Sequence, residues 1–136
     1  MITAYIDGGA RGNPGPAGYG AHIVDDSGQV VAELHGALGI TTNNVAEYNG
    51  LLAALQWAVD RGLSAMHVKA DSLLLVEQMR GNYRVKNAGL IPLHQRARIL
   101  VARVGHVTFE HIPREQNKDA DRLSNLGMDA NRSGAP

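Results

Sequence analysis

The sequence predicts an α/β fold, a mixed five-stranded sheet with helices packed on its faces. Three observations carry this expectation. The first third of the chain alternates apolar and polar residues in short runs joined by turn formers; the remainder alternates helical and strand periods; and the strand after the strongest helix needs a crossover, which sets it parallel to the first strand. The 136 residues, 44% hydrophobic and 19% charged, suffice for one domain with a real core and are not those of a disordered chain.

Ile2, Ala4 and Ile6 alternate with Thr3 and Tyr5 and open into Gly8 and Gly9, giving a first strand with Asp7 as its last residue. Tyr19 to Val24 and Val30 to Gly36 form two strands joined by Asp25-Asp26-Ser27-Gly28, a turn-forming cluster, so the first three strands make an antiparallel meander. Residues 44 to 61 carry Val45, Tyr48, Leu52, Leu55 and Val59 at steps of three and four, a helix with Asn44 as N-cap and Gly62 as its stop. Met66 to Ala70 is the crossover strand, and Ser72 to Arg80 a short helix ended by Gly81-Asn82. Leu90, Leu93, Ala97, Leu100 and Val104 mark one face of a further helix closed by Gly105. Val107 to Ile112 is the last strand, and a final helix runs from about Asn117 to Leu126. The polar, breaker-rich end from Asn131 to Pro136 is expected to fray or to begin a linker.

Cysteine is absent, which excludes a disulfide scaffold and thiolate metal sites. No apolar run reaches membrane-spanning length and no basic segment leads an apolar one at the start, so a soluble cytosolic protein that does not engage membranes is expected. A formal net charge of +0 means that any polyanion must be bound by a local patch. Arg11, Arg80, Arg84, Lys86 and Lys118 are candidates for one, although scattered cations are usually a solvated surface.

Four carboxylates sit where one kind of structure gives way to the next: Asp7, Glu47, Asp71 and Asp121. Each has an ordinary reading: Asp7 as a turn former before glycine, Glu47 as the glutamate of a capping arrangement, Asp71 as an N-cap, and Asp121 as an anion favoured by the helix dipole. Asp7 resists its reading best, because aspartate is depleted from strands. In the expected sheet the first and fourth strands are neighbours, so Asp7 and Asp71 leave adjacent strand ends and Glu47 starts the crossover helix at the same edge. Topology thus converges three acids; the fourth depends on the last helix.

With Asp7-Gly8-Gly9 and the following Gly12 to Gly20, Thr42-Asn43-Asn44 with Glu47, Asp71-Ser72, and Asn117 with Asp121, residues 1 to about 128 resemble the type 1 ribonuclease H family. The resemblance implies a ribonuclease H-like catalytic domain over residues 1–128, with 129–136 as a flexible tail or linker start. It implies an endonuclease that hydrolyses the RNA strand of RNA/DNA hybrids and leaves a 5′-phosphate and a 3′-hydroxyl. Asp7, Glu47, Asp71 and Asp121 would hold two Mg²⁺ ions, with Mn²⁺ as a substitute. Two such ions about 4 Å apart neutralise a phosphodiester while orienting the attacking and leaving oxygens. Asp7 would bridge them, Asp71 and Glu47 complete the leaving-side ion, and Asp121 hold the ion that delivers water.

Substrate contacts are expected from the loop Gly8 to Gly20, where Gly8, Gly9 and Gly12 let the backbone approach a ribose and Arg11 adds a cation. A tight strand connection is the plain alternative for this loop; a nucleotide-cradling P-loop is excluded by the absent Walker lysine. Asn43 and Asn44 offer amides to base edges, the resemblance assigns Asn13 and Thr42 to a DNA-strand phosphate, and Asn117 joins the substrate-binding set. Two departures from the best-known bacterial members stand out. Only Gly81 to Gly89, with Arg84 and Lys86, replaces their basic helical protrusion, as in the archaeal and mycobacterial branch. Their loop histidine before the last acid has no equivalent in Ile112 to Asn117; Arg114 takes that product-release role in this reading, with His111 as the alternative. The remaining histidines and Trp57 are read as structural. The chain is expected to act as a monomer on the hybrid. A related nuclease or strand-transferase of the same superfold, or a non-catalytic hybrid-binding module, are the competing functions.

Overall fold

The computed structural model describes residues 1–133, with side chains through residue 131. Five strands, β1 (Thr3–Ala10), β2 (Gly15–Val24), β3 (Val30–Thr41), β4 (Ala65–Ala70) and β5 (His106–His111), form one sheet in the order β3-β2-β1-β4-β5. β1, β2 and β3 pair antiparallel, and β1–β4 and β4–β5 pair parallel, the topology expected from the crossover. Helices α1 (Asn43–Asp60), α2 (Leu73–Met79), α3 (Ile91–Val104) and α4 (Lys118–Ser133) surround it. No described helix is long and apolar enough to cross a membrane.

The main core lies between one sheet face and α1 and α3. Ala4 and Ile6 of β1, Ala21 and Ile23 of β2 and Met66 and Val68 of β4 pack there against Leu51, Leu55, Ala97 and Leu100. The intervening residues of β1 and β2 face the other way, the period of two that a strand imposes. α4 covers that second face over β2 and β3, burying Ala120, Leu123 and Met128.

Several boundaries differ from the sequence reading, all for one reason. β1 does not end at Asp7 but continues to Ala10, β2 starts at Gly15 rather than Tyr19, and β3 reaches Thr41 rather than Gly36. The expected loop Gly8 to Gly20 is therefore mostly ladder, with Gly8 opposite Tyr19 and Gly9 opposite Gly18, and only a tight connection at residues 11–14. Its ladder glycines Gly8, Gly18 and Gly20 mark the approach of helix backbones, whereas Gly12, with a φ of 87°, serves the tight connection. A Cβ on Gly8 would lie 2.2 Å from the backbone carbon of Ala46 in α1, and one on Gly20 would lie 2.6 Å from the carbonyl oxygen of Ala120 in α4. Both helices are pressed onto the sheet where it has no side chains.

α4 also outruns its expected end at Leu126 and remains helical through Ser133. Asn131 donates from its amide to the Ala17 carbonyl at 2.8 Å and accepts from the Gly39 N–H at 2.9 Å, which anchors that stretch to β2 and β3. Residues 129–133 are thus not a loose tail, and 134–136 lie outside the described residues.

The packing separates two adjacent glycines sharply. Gly8→Ala is expected to destabilise the fold by about 1–3 kcal/mol through overpacking, whereas Gly9→Ala, whose Cβ would sit 3.5 Å from the Met128 methyl, changes stability by less than about 0.5 kcal/mol. Urea denaturation of both variants checks this; equal stabilities would mean that α1 is not in contact with β1 at Gly8.

Candidate active site

The parallel ladder between β1 and β4 pairs Ile6 with Ala70. Asp7 and Asp71 are the next residue of each chain, side by side at the point where β4 ends. Glu47 projects from the stretch of α1 that Gly8 admits against β1. Carboxylate oxygens of Asp7, Glu47 and Asp71 come within 4.8 Å of one another. Asp121 arrives from α4 on the opposite face and lines the same cavity, of about 650 Å³, without joining that close triad.

Ordinary roles for two of these acids do not survive. Thr42, not Asn44, caps α1, its hydroxyl accepting from the Val45 N–H at 3.3 Å; Glu47 therefore lies beyond the first turn and is no capping glutamate. Ser72, not Asp71, caps α2, accepting from the Leu75 N–H at 3.2 Å. Asp7 accepts the Gly8 N–H at 2.8 Å, a bond within the strand that leaves its second oxygen available. Asp121 does fall in the first turn of α4, so the dipole contribution stands for it.

Burial sets the electrostatics, and crowding adds to it. Asp7 is pushed up to about 8, first by burial and then by Asp71, with smaller contributions from Asp121 and Glu47, against the opposing Gly8 N–H. Glu47 is pushed up to about 7, first by burial; the Ser72 hydroxyl opposes this and Asp71 adds to it. Asp71 is also raised by burial, while the Asn117 amide and Arg114 counteract. Groups that cannot all ionise together, presenting only carboxylate oxygens, suit a hard divalent cation.

Of the expected substrate contacts, Gly8, Gly9, Arg11, Asn43 and Asn44 line the cavity, as does Arg114. Gly12, Asn13 and Thr42 lie outside its lining. Asn13 accepts from the Asn43 N–H at 3.1 Å, and Asn43 accepts from the Ala10 N–H at 2.8 Å, so this pair ties the end of β1 to the start of α1. Asn117 is 1% exposed and does not face the cavity. It donates to the Ile6 carbonyl at 2.9 Å, bracing the residue before Asp7 against the start of α4. His111 points its ring at the Asp71 carbonyl, 3.3 Å away, outside the lining. Ser124, Asn125 and Met128 line the cavity and escaped the sequence reading. They follow Asp121 at three, four and seven residues, one face of a helix, and ending that helix at Leu126 hid Met128. A second group, His22, Glu33 and Asp119, also brings possible ligands together. Arg122 already bridges it, at 2.6 Å from Glu33 and 3.7 Å from Asp119, which makes it a clasp between α4 and the β2–β3 hairpin.

The sequence model of the family described as reverse transcriptase-like matches residues 5–127. Ribonuclease HI of Halobacterium salinarum is 39% identical over 94% of this chain and 64% of its own length. The chain belongs to the ribonuclease H family, type 1. The bifunctional protein Rv2228c of Mycobacterium tuberculosis is 48% identical over 95% of this chain, which spans only 36% of that relative. Among solved ribonuclease H structures, LC11-RNase H1 in complex with RNA/DNA hybrid superposes with a TM-score of 0.91 at 42% identity, covering 96% of this chain and 98% of that one.

Asp7 and Glu47 keep protons in the folded ribonuclease H domain that the unfolded chain has lost, so between about pH 4 and their raised values near 8 and 7 stability falls as pH rises. The cation-free protein should therefore melt lower at pH 8 than at pH 5.5. Asp7→Asn should raise the pH 8 melting temperature by roughly 5 °C or more, and Mg²⁺ should stabilise the wild type more at pH 8 than at pH 5.5. Calorimetry without and with Mg²⁺ checks all three; an Asp7→Asn protein less stable than wild type at pH 8 contradicts the crowding.

Proposed function

We propose that the chain is an endonuclease hydrolysing the RNA strand of RNA/DNA hybrids, with residues 1–128 as its catalytic domain. The observation that carries this is the meeting of Asp7, Glu47 and Asp71 within 4.8 Å on one side of a cavity whose lining also includes Asp121 and Arg114. The match to a ribonuclease H1 described in complex with RNA/DNA hybrid supports the choice of substrate.

In this reading Asp7, Glu47, Asp71 and Asp121 would hold two Mg²⁺ ions, Asp7 contributing to both, Glu47 and Asp71 to one and Asp121 to the other; Mn²⁺ could substitute. When bound, such ions would neutralise phosphate charge and lower the pKa of water; the family resemblance gives the products as a 5′-phosphate and a 3′-hydroxyl. The protein's own groups do the rest. Burial and mutual repulsion make the triad ill at ease without cations, so the site is set for them before substrate arrives. Asn43, its oxygen committed to the Ala10 N–H, has its amide N–H groups left for a sugar hydroxyl or base edge, and Asn44 sits beside it on the exposed end of α1. Arg114 beside Asp71 supplies a cation where a cleaved phosphate would leave. The protein acts in the cytoplasm as a monomer.

The deciding assay offers labelled RNA/DNA hybrid, duplex DNA and duplex RNA with Mg²⁺ or Mn²⁺. Cleavage of the hybrid alone is expected; cut duplex DNA would point to another nuclease of the superfold, and no cleavage to a binding module. Asp7→Asn should lose cleavage by at least about 10³-fold, a factor in keeping with removing a principal electrostatic element, while retaining hybrid binding. Under saturating substrate, Arg114→Ala is expected to slow turnover more than His111→Ala, and the reverse order would move the product-release role to His111.

A further inference from the structure

On the sheet face that α4 covers, away from the four carboxylates of the cavity, the buried ring of His22 stands between two acids. Its Nδ1 lies 2.9 Å from a carboxylate oxygen of Glu33, the residue directly across the β2–β3 ladder. An ionised carboxylate has no proton to give, so Nδ1 carries the proton of this bond, and in the neutral ring Nε2 is left with a lone pair. Nε2 faces Asp119 in the first turn of α4, at 3.6 Å from Oδ2. That is too long for a hydrogen bond, and a ring protonated at Nε2 would draw Asp119 closer.

The separation has the dimensions of a shared ion. Two donors about 2.0–2.1 Å from a tetrahedral zinc stand about 3.4 Å apart, so a small shift lets Nε2 and Oδ2 hold one. Ligand atoms of His22, Glu33 and Asp119 all lie within 4.8 Å of one another. Neither oxygen of Asp119 accepts a hydrogen bond from a side chain among the described residues: Oδ1 stands 3.7 Å from Arg122, whereas Arg122 lies 2.6 Å from Glu33. The clasp thus closes on Glu33 and leaves the other carboxylate free. Beside it is a hollow of about 240 Å³ lined by Tyr5, His22, Gln116, Asn117 and Asp119. Asn117 has a buried Oδ1 with no hydrogen-bond partner, an acceptor for a water carried by the ion.

We propose that His22 Nε2 and Asp119 form a second metal site, separate from the acidic cavity, for a divalent ion that takes imidazole, Zn²⁺ above all, with Glu33 orienting the ring. Imidazole suits zinc and its transition-metal neighbours, whereas Mg²⁺ keeps to oxygen ligands. A carboxylate on the far nitrogen of a metal-bound histidine fixes its tautomer and raises its basicity. Arg122 offsets the charge of Glu33, and Asp119 answers that of the ion. Two protein ligands and water make the site one of modest affinity. Its effect follows from where the ligands sit. Asp119 and Asp121 share the first turn of α4, so an ion tying that turn to β2 stiffens the segment that brings Asp121 to the cavity. The inference stands independently of the nuclease reading.

The test is a Zn²⁺ titration in excess Mg²⁺, followed through the imidazole ¹⁵N resonances. His22 Nε2 is expected to shift as Zn²⁺ is added while Nδ1 keeps its proton. His22→Gln and Asp119→Asn should each weaken binding at this site at least about tenfold, as should Glu33→Gln, which removes the orienting carboxylate. Asp119 is exposed and its amide keeps the size of the carboxylate, so that variant folds and decides the matter if a change at buried His22 does not. Zn²⁺ should also raise the melting temperature of the wild type more than that of Asp119→Asn. The Asp7→Asn protein, altered only in the acidic cavity, should show the His22 shift at wild-type affinity. A His22 Nε2 that does not move, or an affinity unchanged in Asp119→Asn, overturns the proposal and leaves the cluster a clasp alone. Loss of the shift in Asp7→Asn overturns it too, because the ion would then belong to the acidic cavity.

Discussion

The burial of mutually repelling carboxylates is the constraint on which the rest of the architecture depends. Left to themselves, Asp7, Glu47 and Asp71 would move apart or take up protons, and burial drives Asp7 and Glu47 far above the ordinary carboxylate range. The fold opposes separation with backbone packing. Gly8 lets α1 lie against β1, the β1–β4 ladder fixes Asp7 beside Asp71, and Asn117 fastens the Ile6 carbonyl to the start of α4. An unfavourable site held by a favourable scaffold is a site prepared for positive charge.

The same packing explains what the sequence did and did not disclose. Element order, the parallel crossover and the adjacency of Asp7 and Asp71 were legible, because apolar periodicity and chain reversal leave few ways to assemble three strands, a helix and a fourth strand. The meeting of Glu47 with Asp7 followed from topology, and three acids do converge. Strand ends were not legible. Gly8, Gly9, Gly18 and Gly20 carry a turn signal in isolation, yet they lie in the ladder because helix backbones occupy the space that side chains at Gly8, Gly18 and Gly20 would need. Caps were misread for a related reason: Asn44 and Asp71 are good N-cap types, but Thr42 and Ser72 stand at the residues where the chain turns. The motif placed Asn117 among the substrate contacts, and what it did not disclose is that its buried amide braces the strand under Asp7.

Charge is distributed with the same economy. The acids that would hold cations gather at one end of the sheet, a stretch from Gln78 to Phe109 is free of acids, and α2 spans the gap between them.

A ¹³C NMR titration of the Asp7 carboxyl carbon, in the absence and presence of Mg²⁺, addresses the central claim most directly. Without cations the resonance should titrate near pH 8, sharing its proton with the neighbouring acids, and saturating Mg²⁺ should move that transition well below neutrality. An Asp7 that titrates near pH 4 in both conditions would mean that the carboxylates are neither crowded nor waiting for a cation.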